Sequence, residues 1–134
     1  MQRDVVLRWI EQIARVIAQM LKTGKPEDLE LARQEIQAAT DRLLGPLALL
    51  VPRLDLASAA ELLHEPERLF AYAQLLDLQA TLREALGELP AALADRQRAL
   101  GLARAAIARS TEPVDDLEKW VRVSGERGGG VVSS

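Results

Sequence analysis

The chain has no cysteine and a single histidine, His64. Without cysteine there is no disulfide, no thiolate nucleophile and no zinc–sulfur site, and redox compartment cannot be read. One imidazole cannot by itself complete a histidine-based metal set. Aromatic residues are equally scarce: Trp9, Phe70, Tyr72 and Trp120 are all of them. Positive charge is not in excess either. Lys and Arg number 17 against 20 Asp and Glu, for a formal net charge of -3, which speaks against holding a polyanion by bulk electrostatics. Nor is there a long uncharged apolar run. The most apolar opening segment, "VVLRWIEQIARVIAQML", is broken by Arg8, Glu11 and Arg15, a density of charge that neither a signal-peptide core nor a membrane span tolerates. The expectation is a cytoplasmic protein without membrane attachment.

What is present is helix-forming material. The 134 residues are one domain's worth, and 49% are hydrophobic, chiefly Leu, Ala, Val and Ile. In residues 4–22, Val6, Trp9, Ile10, Ile13, Val16, Ile17 and Met20 recur at steps of three and four, which predicts an amphipathic helix with Asp4 as its cap. "KTGKP" stops it, Gly24 giving a left-handed turn and Pro26 opening the next helix. That helix, 26–44, has Leu29, Ala32, Ile36, Ala39 and Leu43 as its stripe, and Gly45-Pro46 ends it. The stretch 46–66 carries three prolines and reads as a crossover with short helical turns; Ser58 and Glu61 are spaced as a capping box for a brief helix ending near His64.

Two longer helices are predicted at 67–86 and 89–109. The first has two adjacent apolar stripes, one of Leu69, Ala73, Leu76 and Ala80 and one of Leu75, Leu78, Leu82 and Leu86, so it should pack on two sides. In the second, Ala92, Ala99 and Ala106 recur at seven beside Leu93, Leu100 and Ile107, a pattern that lets two helices approach closely. A last short helix is expected at 113–123, and the Gly/Ser-rich tail 124–134 is expected to be disordered. The expected fold is therefore all-α, with five to six antiparallel helices in a single domain over 1–123.

In "LREALGELPAALADRQRAL" the turn Gly87, Ala92 and Ala99 resemble the second half of a tetratricopeptide repeat, in which a turn glycine and small residues permit helix crossing. The opening "MQRDVVLRWIEQIARVIAQMLK", with "DRLLG", "LDLASAAELL" and "RQRALGLARAAI", is similar to a family of short bacterial all-α proteins of unknown function that end in such a hairpin. Asp4, Ile10, Glu11 and Gln12 match the family's opening, and Gly87, Ala92, Ala99 and Leu100 its end. The resemblance implies a fold and brings no activity with it.

Chemistry is thinly represented. Glu61 and His64 are spaced E-x-x-H, as in di-iron bundles, but such a site needs a second motif and further carboxylates. Ser58 and Ser110 have no neighbouring base, and "GERGGG" lacks the strand, helix and Lys-Ser/Thr of a phosphate loop. No catalytic residue, metal or cofactor is expected. Arg96, Arg98, Arg104 and Arg109 crowd one helix and read as a solvated face rather than a nucleic-acid site. The expectation is a protein–protein interaction or scaffolding module that forms a homo-oligomer, its partner's identity unread. The start of helix 1 is apolar nearly all round, so Val5, Val6, Trp9, Ile10 and Ile13 are the expected interface, unless the 46–66 crossover covers them. Repeat geometry adds Gln79 and Arg83 as a possible peptide groove. The alternative is a peripheral membrane-surface adaptor acting through amphipathic helix 1.

Overall fold

The computed structural model describes residues 3–110, 118 and 120–122, with side chains from residue 5 onward. Among these residues the chain is all-α. Helices α1 (Arg3–Thr23) and α2 (Pro26–Leu44) form one antiparallel hairpin, and α4 (Pro66–Ala85) and α5 (Leu89–Arg109) form another. Between them run two 3-10 turns, Gly45–Leu47 and Val51–Arg53, and the short helix α3, Leu56–Leu63. Residues 118 and 120–122 are also helical. The rest of the expected 113–123 helix, and the tail, lie outside the described residues.

The boundaries follow from local chemistry. Gly24 at φ +69° turns the chain out of α1, and Pro26 opens α2 where an N–H would have no partner anyway. Gly87, at φ +82°, closes α4: its N–H bonds the Glu84 carbonyl (3.1 Å) while Glu88 N–H reaches back to Arg83 (2.8 Å). Those two bonds make a Schellman ending and satisfy carbonyls the helix leaves free. In α3 the cap differs from expectation. Asp55, not Ser58, is the N-cap, its carboxylate accepting the Ser58 N–H at 2.7 Å. Ser58 stands at the third helical position, because Asp55 can adopt extended angles (ψ 168°) and a carboxylate is the stronger acceptor there. His64 ends α3 at φ +62°, the one described non-glycine residue with positive φ.

Helix α4 is the axis of the fold. It packs against α1 and α2 on one side and α5 on the other, with α3 across its start. Leu69, Phe70, Ala71, Tyr72, Ala73, Leu75 and Leu76 are all buried, so consecutive residues in two turns face neighbours in every direction. The two stripes seen in the sequence meet different partners. One core cluster joins Val6, Ile10, Leu43 and Leu44 to Leu69–Leu76 and to Ala99, Leu102 and Ala106. The second joins Ile17, Leu29, Ala32, Ile36 and Leu82. Thus α1 runs parallel to α4, both tight turns lie at one end, and the crossover lies at the other. Ala92, Ala99, Ala103 and Ala106 are buried, letting α5 approach closely. Trp120 meets Phe70 edge-on, with centroids 5.4 Å apart, a contact contributing about 0.5–1.5 kcal/mol beyond its burial.

Gly101 has a different reason from Gly87. A Cβ there would lie 2.4 Å from Leu56 Cδ2, but that methyl ends a flexible side chain that can turn toward solvent. Replacing Gly87 by Ala should lower stability by about 1–2 kcal/mol through its left-handed backbone. Gly101→Ala should stay within about 1 kcal/mol of wild type, since helix propensity offsets the displaced leucine. Urea unfolding of the two variants side by side reads the contrast.

Candidate interaction surface

The apolar face of α1 is mostly internal. Val6 and Ile10 belong to the core, Trp9 and Ile13 are half-buried, and of the five expected interface residues Val5 alone is well exposed, at 58%. The expected interface of Val5, Val6, Trp9, Ile10 and Ile13 is therefore not a free patch. The cause is that α2 and α4 approach α1 from two adjacent sides, while Val51, Ala59, Ala60 and Leu63 of the crossover belong to the same core cluster as Val6 and Ile10. Trp9 is shielded further by the Arg42 guanidinium, 4.9 Å from its ring centroid, a contact contributing about 0.5–1 kcal/mol.

Gln79 and Arg83, the residues expected at a peptide groove, are both engaged by α5. Gln79 Nε2 donates to Asp95 Oδ2 at 3.1 Å, and Arg83 Nε lies 3.3 Å from the same oxygen. Both groups are one turn apart on α4 and are drawn inward by a carboxylate on α5. The neighbouring residue on α5 makes a complementary grip. Arg96 donates to Asp77 (3.3 Å), to Thr81 Oγ1 (3.1 Å) and to Glu84. Burial opposes the charge of Arg96, yet the Glu84 and Asp77 carboxylates outweigh it and hold the guanidinium more basic than usual. Two adjacent residues of opposite sign, Asp95 and Arg96, thus lock α5 to α4 in one register.

The arginine face read from the sequence is likewise committed. Arg98 donates to the carbonyls of Leu54 (2.8 Å) and Val51 (2.9 Å), and Arg109 reaches Glu61 at 3.1 Å. Of the four α5 arginines, Arg104 alone is exposed. Tyr72, raised above the ordinary phenol value by burial, is held partly in check by Arg98 beside it. Arg68 acts in the same way on the other hairpin, donating to the Leu43 (3.3 Å) and Leu44 (3.0 Å) carbonyls at the end of α2. The segment 45–55 is therefore a strap fastened at both ends by guanidinium groups on backbone oxygens.

That strap carries Leu49, the most exposed large apolar side chain among the described residues. Leu49 is 83% exposed, Leu50 48%, and Leu62 on α3 40%. Leu50, Leu54, Ala57 and Leu62, with Ser58 and Glu61, line one open groove of about 700 Å³. At the foot of the strap a narrower cleft of about 200 Å³ is bounded by Val6, Leu43, Glu65, Glu67 and Arg68. Sequence reasoning treated this stretch only as a crossover. The available signal was "LALLVPRL", four leucines in eight residues interrupted by Pro52, too short and irregular to bury on a helical period.

Glu61 and His64 are not brought together as metal ligands: Glu61 pairs with Arg109, and His64 is an exposed helix-terminal residue. Among the described residues no group of three His, Asp or Glu is placed to hold a metal ion. Nor is any described helix long and apolar enough to cross a membrane. No family model, curated protein or solved structure matches the chain.

Two measurements test the polar anchors. Arg98→Met leaves the Val51 and Leu54 carbonyls without their charged donor and should lower stability by about 2–3 kcal/mol in urea titration. Asp95 gives a pH signature. Burial, the largest influence, raises its carboxyl above the ordinary aspartate value, with Arg83, Gln79 and Arg98 opposing. The folded chain then binds this proton more readily than the unfolded chain, so the Asp95 contribution to stability falls as pH rises from the ordinary value through the raised one. The stability of wild type minus that of Asp95→Asn should decline across that window and level off above it.

Proposed function

We propose that the chain is a non-catalytic protein–protein interaction module built of two stacked helical hairpins, and that it self-associates. The observation that carries this reading is the exposed leucine surface of the strap and α3, at Leu49, Leu50 and Leu62. Water-facing leucines gathered beside an open groove favour a surface made for covering. Their setting is structural, since Arg68 and Arg98 hold the strap by its backbone, with Val51 buried and Leu49 and Leu50 outward.

Tetratricopeptide-like stacking fits this role. The left-handed Gly87 and the buried Ala92 and Ala99 support it, as does α4 packing on both helices of the preceding hairpin. Kinship with the short bacterial helical family rests on the sequence motifs alone and adds no activity. The membrane-surface alternative would require α1 to leave α2 and α4, exposing Val6, Ile10 and Ile17. Each large side chain so exposed costs about 1.5–3 kcal/mol, which weighs against it.

Light scattering on size-exclusion fractions across a concentration series tests the reading. Wild type should approach twice the 14.7 kDa chain mass as concentration rises, while Leu50→Asp should remain near the monomer mass with an unchanged helical circular dichroism spectrum. A wild type that is monomeric throughout would defeat self-association.

A further inference from the structure

The cleft at the foot of the strap has a matching shape and charge elsewhere on the same molecule. Its floor is apolar, from Val6 and Leu43, and its rim carries Glu65 and Glu67. Arg68 also borders it, but that guanidinium is turned to the Leu43 and Leu44 carbonyls. Neither Glu65 nor Glu67 makes an ion pair among the described residues. An apolar pocket whose rim has two unpaired carboxylates against one guanidinium calls for an apolar knob followed closely by a cation.

The strap offers that combination. Leu49 is the most exposed large apolar side chain among the described residues. Arg53, four positions on, is exposed and makes no ion pair among them. Size agrees as well: the cleft holds about 200 Å³, and about 150 Å³ accommodates benzene in a protein core, so a leucine side chain fits. The strap cannot fold into its own cleft, because Arg98 fixes Val51 and Leu54 to α5 and leaves Leu49 in solvent.

We propose that the occupant of the cleft is the strap of a second copy of this chain. Leu49 of each copy enters the other's pocket over Val6 and Leu43, and Arg53 meets Glu65 and Glu67 at the rim. Strap and cleft lie at the same end of the bundle, so both contacts form at once about a two-fold axis, each surface giving and receiving. This rests on the self-association proposed above and names its surfaces.

Sedimentation velocity over a concentration series decides it, with circular dichroism confirming that each variant keeps its helices. The expected result is a wild-type dimer that Leu49→Asp weakens by about tenfold or more. Arg53→Glu alone and Glu65→Lys/Glu67→Lys alone should each weaken it through like-charge repulsion. Combining the three charge reversals should restore association, because the signs across the interface are again opposite. A dimer indifferent to Leu49→Asp and Arg53→Glu overturns the strap-in-cleft arrangement while leaving self-association standing. Failure of the combined variant to recover overturns the proposed pairing. A wild type that stays monomeric overturns both readings and leaves the cleft to a partner of another sequence.

Discussion

Helix α4 has to be covered on every side, and most of the architecture follows from that. A surface helix needs one protected face; α4 buries residues at consecutive positions from Leu69 to Ala73, so no single neighbour can serve it. The α1–α2 hairpin covers one side, α5 a second, and α3 crosses its start. Neither hairpin would be satisfied alone, because removing either exposes large leucines of α4. The two are consequently one cooperative unit despite their separate turns.

Polar groups then fix how the covering elements sit. Apolar contact is tolerant of sliding, whereas the Asp95 grip on Gln79 and Arg83 and the Arg96 grip on Asp77 and Thr81 are satisfied in one register. Arginine is used here as a backbone clamp. Arg68 and Arg98 each present a planar fork to two backbone carbonyls of the strap and its flanks, a geometry that lysine cannot reproduce. The guanidinium groups of Arg68, Arg96 and Arg98 are thus committed to contacts within the fold.

Helices were the most legible part of the sequence. Pro26, Pro66, Gly24 and Gly87 act through local backbone angles, so the limits of α2 and α5 could be read to the residue and those of α1 and α4 to within one. The double stripe of α4 likewise announced two neighbours. What could not be read was which side chains the tertiary fold would claim. Val6 and Ile10 look the same in sequence whether covered by α4 or by a partner. Gln79, Arg83 and Arg96 look solvated until α5 is brought alongside. The Ser58 cap was misread because Asp55, three residues earlier, competes for the same role. The strap was overlooked since its leucines follow no period and its anchors come from residues 24 to 47 positions away.

The bundle also has a direction. Both tight turns, at Gly24 and Gly87, lie at one end, while the start of α1, the end of α5, the strap and the cleft gather at the other. Any segment joined to either end of the helical body therefore begins beside the leucine surface rather than across the molecule from it. A tethered neighbour would meet that surface at an effective concentration set by its linker, far above its concentration in solution. Attachments at the Gly24 and Gly87 end would leave the surface untouched.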